Sequence, residues 1–153
     1  MAESFKYLIS SPYLGYIAIM VIAYGLSINF TEVMWKAQVR QMYPDKSRYQ
    51  QFMGMYSSIL GATTFLVIMF GSRVIQTLGW LVGAVSTPVL MGALAAPFFS
   101  FIIFGLKLGD PKVALATAVY VGLVQNVLSK AVKYALFDPT KEMAYIPLDQ
   151  ESK

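Results

Sequence analysis

The sequence predicts an all-α transmembrane protein with about four membrane-spanning helices. Two observations predict it. Of the 153 residues, 57% are hydrophobic and 13% are charged, where a soluble domain carries about a quarter charged residues. The charges are also missing in blocks. Residues 7–31, 49–72, 74–106 and 113–129 contain no Asp, Glu, Lys or Arg, which makes runs of 25, 24, 33 and 17 residues. A helix needs about 20 mostly apolar residues to cross a bilayer. Three runs clear that length, and the fourth clears it when its last turn takes in Lys130 or Lys133. A soluble bundle would keep a polar face on each helix. Residues 81–106 offer only Ser86, Thr87 and Ser100 for such a face.

The helices are expected over about 12–35, 52–71, 78–106 and 113–137, with a polar tail over 138–153, all in one domain spanning 1–153. Pro12 suits a helix start because its missing N–H would be unpaired there in any case. Pro88 and Pro97 should kink or divide the third helix. Asp138-Pro139 should end the fourth, since a residue before proline is pushed out of the α region. The connections, roughly 36–50, 71–77 and 107–112, are too short for interdomain linkers. Gly54, Gly61, Ala62, Gly83 and Gly92 would let helices approach closely. Tyr13, Tyr16, Trp35, Tyr43 and Trp80 lie near expected helix ends, as in an interfacial aromatic belt. The N-terminus lacks the basic region, apolar core and small-residue site of a signal peptide. Lys and Arg divide six against six between the two sides, so charge asymmetry gives no orientation.

Composition excludes several chemistries. Without His or Cys, there is no Ser-His-Asp or Cys-His hydrolase, and the commonest metal ligands are missing. No GxxxxGK[ST] or GxGxxG string is present, so neither P-loop nor dinucleotide-fold binding applies. No carboxylate pair lies inside a run, so no enzymatic site, metal site or bound cofactor is expected. The net charge of +4 is too small and scattered to argue for nucleic acid.

Two polar constellations have helical spacing. Asn29, Glu32, Lys36 and Arg40 share one face at the end of the first helix. They form either a snorkelling, solvated face or a polar cavity lining. A carboxylate near hydrocarbon costs several kcal/mol unless paired or hydrated. On the fourth helix, Gly122, Asn126, Lys130 and Lys133 share a face, with Gln125 and Ser129 beside it. Two ammonium groups one turn apart repel unless an anion lies between them. That reads either as a polyphosphate site, with Lys as a point charge, or as a basic helix end at the headgroups.

Three segments resemble a known family. QNVLSKAVKYALFDPTKEMAYIPLD (Gln125–Asp149) resembles the ATP/ADP translocases of plastids and of obligate intracellular bacteria such as rickettsiae and chlamydiae. AYGLSINFTEVMWKAQV (Ala23–Val39) resembles that family's seventh membrane helix, and LGWLVGAVSTPVLM (Leu78–Met91) its ninth. The string FDPTKEMAYIPLD is highly specific. The resemblance implies a fragment, helices seven to ten of a major-facilitator-like 12-helix transporter, whose remainder is a missing partner. It implies a multi-pass protein of a plastid inner envelope or of the inner membrane of an obligate intracellular bacterium. It also implies that Gly71 to Trp80 and the tail Asp138–Lys153 face the cytosol or stroma.

The implied function is exchange of ATP for ADP by alternating access. The other readings are transport of other nucleotides or NAD, and a non-transporting four-helix membrane scaffold. Asn29, Glu32, Val33, Trp35 and Lys36 match the family's Asn-x-x-Glu-Val-x-Trp-Lys pattern, where Glu32 is a membrane-embedded charge important for transport. The Asn126, Lys130, Lys133 face stands in another strongly patterned segment. Lys130 and Lys133 would then neutralise phosphate. Glu32 would balance the empty site or pair with Lys36 or with a lysine of the other half. Asn29 and Asn126 would hydrogen-bond phosphate, ribose or base. Exchange rather than net flow follows if the empty, unbalanced cavity is costly to reorient.

Overall fold

The computed structural model describes residues 12–104 and 110–145. Among the described residues there is no strand. The elements are α1 (Pro12–Met42), α2 (Lys46–Leu78), α3 (Trp80–Phe104), α4 (Pro111–Val132), a π-helical turn (Lys133–Phe137) and α5 (Asp138–Tyr145). The last three run on as one rod. Four helices are long and apolar enough to cross a membrane, counting that rod as one. Lys107 and residues 146–153 of the expected tail lie outside the described residues.

The helices outrun the uncharged runs. The 31 residues of α1 span roughly 46 Å at about 1.5 Å each, well beyond the ~30 Å of bilayer hydrocarbon. Hydrocarbon thickness limits the apolar stretch, not the helix, so α1 continues through Glu32, Lys36 and Arg40 to Met42. Pro44 stops it. The Asp45 carboxylate then opens α2 by accepting from the Ser47 N–H at 3.3 Å. Asp110 opens α4 in the same way, accepting from the Lys112 N–H at 2.9 Å, with Pro111 in the first turn. A single residue separates α2 from α3. It is Gly79 at φ 86, a left-handed value that a side chain would resist.

Three expectations need correction. Residues 71–77 are not a connection but the last two turns of α2, which runs to Leu78. No proline interrupts them, and Gly71 gives that stretch a tight packing position. Pro88 and Pro97 do not divide α3, which is helical on both sides of each. Each proline removes one N–H from the ladder, a loss that a membrane helix tolerates through local adjustment and its neighbours. Asp138-Pro139 does not end the fourth helix. A proline ring clashes with the carbonyl four residues back, here that of Ala135. The chain widens into the π turn before Pro139 and resumes as α5. The Thr140 hydroxyl shares its one hydrogen between the Leu136 and Phe137 carbonyls, at 2.7 and 3.0 Å, and so supplies a donor where Pro139 has none.

α4 sits at the centre and packs on all three other helices. Trp35 and Val39 of α1, Phe52 and Tyr56 of α2, Phe98 of α3, and Val119 and Val127 of α4 form one buried cluster. Trp35 is therefore not an interfacial belt residue. It is fully buried, and its indole N–H donates to the Val119 carbonyl at 2.8 Å. Outside, α1 exposes Tyr16, Ile19, Ile22, Leu26, Phe30 and Val33. Inside, α4 buries Gln125, Asn126 and Ser129. Apolar outside with polar inside is the arrangement of a helix bundle in lipid.

Of the glycines expected to allow close helix approach, Gly83 does so, and Gly71 and Gly122 join it. At Gly54, Gly61 and Gly92 an added Cβ would meet nothing within 4 Å, whereas at Gly83 it would lie 2.7 Å from Thr140 Cγ2. At Gly71 it would lie 2.7 Å from the Ala135 carbonyl oxygen, backbone of the π turn that cannot step aside. Gly71→Val is expected to destabilise the bundle by about 1–3 kcal/mol, while Gly54→Val should be nearly silent. Thermal unfolding in detergent measures both. Equal melting temperatures for the two variants would refute the close approach of α2 to the π turn.

Candidate functional site

The polar groups of α1 and α4 meet because the two helices run antiparallel. Tyr13 donates to the Ala144 carbonyl at 2.7 Å near one end. Tyr24 donates to the Ser129 carbonyl at 3.3 Å and stacks on Phe137, with ring centroids 4.5 Å apart. Trp35 bonds Val119 towards the other end. Between these ties lies Glu32. Its Oε1 is 2.8 Å from Lys36 Nζ, one turn along α1, and its Oε2 is 2.8 Å from Lys130 Nζ on α4. The Glu32 and Lys130 side chains are 20% and 18% exposed, against 42% for Lys36. One carboxylate between two ammonium groups leaves the trio with a net positive charge. Low polarity around it strengthens each contact and raises the cost of leaving any one charge alone.

Two residues that sequence reasoning passed over complete the surroundings. The Tyr56 ring of α2 lies with its centroid 5.7 Å from Lys130 Nζ, within reach of a cation–π attraction. Its hydroxyl is buried without a hydrogen-bond partner. No spacing rule links Tyr56 to α4. Asp138 is the other. It takes Lys133 at 3.1 Å and Lys141 at 3.6 Å. The Lys133–Asp138 step of five residues does not align on an α-helix, and only the π turn brings the pair together.

The structure thus brings Glu32, Lys36 and Lys130, expected in two separate constellations, into one ionic network. Asn126 lies one turn from Lys130, fully buried. Its Nδ2 donates to the Gly122 carbonyl at 2.8 Å, and its Oδ1 has no partner. Gln125 Nε2 donates to Ser129 Oγ at 3.4 Å, and Gln125 Oε1 is likewise unpaired. Asn29 shares the face of Glu32 but is exposed, its Nδ2 bonded to its own helix at the Gly25 carbonyl, 2.8 Å away. Lys133 is not drawn into the Glu32 network. It lies 4.5 Å from the centre of the Tyr134 ring and pairs with Asp138. The repulsion between Lys130 and Lys133, read from spacing as calling for one shared anion, is instead relieved by a separate carboxylate for each.

A lysine point charge held by a single carboxylate, with a phenol hydroxyl nearby, can exchange that carboxylate for another anion without covalent chemistry. Comparisons with known proteins bear on the family. The model of the family described as the TLC ATP/ADP transporter matches residues 1–153. The chain is 49% identical over 159 residues to ADP,ATP carrier protein 1 of Chlamydia muridarum, covering 100% of this chain and 30% of that protein. It is 44% identical to ADP,ATP carrier protein 1 of Rickettsia typhi, covering 97% of this chain and 31% of that protein. It is 45% identical to ADP,ATP carrier protein 2, chloroplastic, of Arabidopsis thaliana, covering 99% of this chain and 25% of that protein. The chain thus spans less than a third of the length of these relatives. No solved structure matches it. With the family match running over every residue, and with four helices long and apolar enough to cross a membrane, the chain belongs to the TLC ATP/ADP transporter family.

Proposed function

We propose that this chain supplies four helices of a nucleotide exchanger that moves ATP one way and ADP the other by alternating access, in the membrane of a plastid or of an intracellular bacterium. The process is transport, with no covalent step. The observation that carries the reading is the Lys130 ammonium, partly buried within a membrane helix bundle and held by one interhelical carboxylate at 2.8 Å. Ionisable pairs inside a membrane bundle are costly and mark ion or substrate paths.

Lys130 is the group assigned to phosphate. Lys133 joins it only by leaving Asp138. The unpaired Oδ1 of Asn126 accepts from a ribose hydroxyl or a base amino group, and Asn29 and Lys36 line the α1 side. The other face of the path comes from helices of the complete carrier outside this chain, since sites in such folds lie between two halves.

In proteoliposomes of the complete carrier, Lys130→Ala is expected to weaken ATP and ADP uptake by roughly 30-fold or more, as for truncating one partner of a buried charge pair. Lys112→Ala, at an exposed position, should stay near wild type. Equal effects would remove the phosphate assignment. Competition by ATP, GTP, CTP and NAD in the same vesicles separates adenine nucleotide exchange from broader nucleotide or NAD transport. Absence of any nucleotide uptake would leave a membrane scaffold.

A further inference from the structure

Among the described residues, Glu32–Lys130 is the one ion pair that joins two separate helices. The others, Lys36–Glu32, Lys133–Asp138, Lys141–Asp138 and Lys141–Glu142, lie within α1 or within the α4–α5 rod. We propose that the Glu32 carboxylate is a built-in stand-in for substrate phosphate, holding Lys130 and latching α1 to α4 while the site is empty, and giving way when a nucleoside polyphosphate arrives. This rests on the reading of Lys130 as the phosphate contact and adds what controls it.

The two partners have unequal fallbacks. When Glu32 lets go of Lys130 it still has Lys36 at 2.8 Å, the neighbour one turn along its own helix. Lys36 is the more exposed and more adaptable of the two lysines, so the released carboxylate keeps a cation and reaches water. Lys130 has nothing equivalent. Its other close neighbour is Tyr56, a neutral phenol that offers a dipole and a ring quadrupole but no full charge. A partly buried ammonium loses much of its stabilisation when left with that alone. Breaking the latch is therefore unfavourable unless another anion takes the carboxylate's place in the same event. A diphosphate or triphosphate carries several negative charges where Glu32 carries one, and so displaces it at short range.

This changes the origin of strict exchange. Lys130 does not stand without a counter-ion, since Glu32 already holds it at 2.8 Å, so a bare cation is not what makes reorientation costly. Without nucleotide, reorientation has to break the one ionic tie between α1 and α4 with nothing to replace it; either nucleotide, arriving from either side, takes over that tie while the hydrogen bonds of Tyr13, Tyr24 and Trp35 remain. A ligand shifts a two-state element only through a difference in affinity between the states, and here that difference is the ion pair it replaces.

The test is Glu32→Gln in the complete carrier, reconstituted in vesicles. With the internal competitor gone, ADP should bind more tightly, by roughly 5- to 100-fold. Uptake into vesicles lacking internal nucleotide should also rise towards the rate with ADP inside. Weaker ADP binding, or exchange that stays strictly dependent on internal nucleotide, overturns the latch. If the amide variant does not reach the membrane, Glu32→Asp carries the same test. Its shorter side chain keeps a carboxylate for Lys36 but loses reach to Lys130, so a smaller shift of the same sign is expected. Lys130→Gln separates the two readings. Wild-type ADP affinity in that variant would sink the phosphate assignment itself. Lost affinity there, together with lost affinity and no leak in Glu32→Gln, would sink only the latch.

Discussion

Trp35→Ala is expected to destabilise the bundle by about 3–5 kcal/mol, the cost of emptying a large aromatic position in a packed core. The indole is fully buried and is the joint at which all four helices meet. Its ring centroid lies 4.7 Å from that of Tyr56 and 6.2 Å from that of Phe52 on α2. Its N–H donates to Val119 on α4, and Phe98 of α3 belongs to the same cluster. Gly122 shows how tight the joint is. A Cβ there would fall 2.7 Å from Phe98 Cε2 and would also overlap Trp35 Cδ1. Gly122→Val should thus approach the loss caused by Trp35→Ala, from the opposite side of the same contact. Trp35→Phe should fall between, keeping a ring but losing the hydrogen bond. Thermal unfolding in detergent reads all three. A Trp35→Ala variant melting with the wild type would show that the joint does not bear on stability.

The second large effect is on transport. Lys130→Glu would set a carboxylate against Glu32 where the ammonium now sits 2.8 Å away. Two like charges in poor solvent cannot both stay ionised at that distance. Uptake should fall by more than the roughly 30-fold expected for simple truncation. The informative partner is the swap, Glu32→Lys with Lys130→Glu, which restores an α1–α4 ion pair with the charges exchanged. It should recover membrane levels and melting temperature, because helix pairing is indifferent to direction. It should not recover uptake, because the cation has moved to α1, away from Asn126 and Tyr56. Recovered uptake would mean that any cation in the seam suffices.

The four spans were legible because the cost of burying charge in hydrocarbon leaves gaps in the sequence that can be measured with a ruler. Glu32 with Lys36 was legible too, since helical neighbours follow from spacing alone. The contact of Glu32 with Lys130 was not. Both were named as site residues, but their pairing depends on how α1 and α4 align. Lys133 misled for a physical reason. Its step from Asn126 and Lys130 is that of a regular α-helix, and the π turn begins at Lys133 itself. The cue lay in Pro139, whose ring needs room four residues back, and which reads from sequence as a terminator. Of the glycines, Gly83 was read correctly, and Gly54, Gly61 and Gly92 were not. Whether one marks a close approach depends on what lies opposite, and Gly71 and Gly122 meet neighbours where Gly54 and Gly92 meet none.

The central place of α4 bears on how the chain enters the bilayer. Of the four spans it carries the buried amides and the ammonium groups, and it is the last of them to leave the ribosome. It is the least apolar of the four spans and, alone at the translocon, would enter lipid less readily than the other three. The three greasier helices must already stand open as a trough, offering Glu32 and the rings of Trp35 and Tyr56, before the fourth gains more by leaving water than it loses. Assembly is therefore ordered from the outside inwards, and damage to any wall of that trough strands the polar helix before the carrier ever meets a nucleotide.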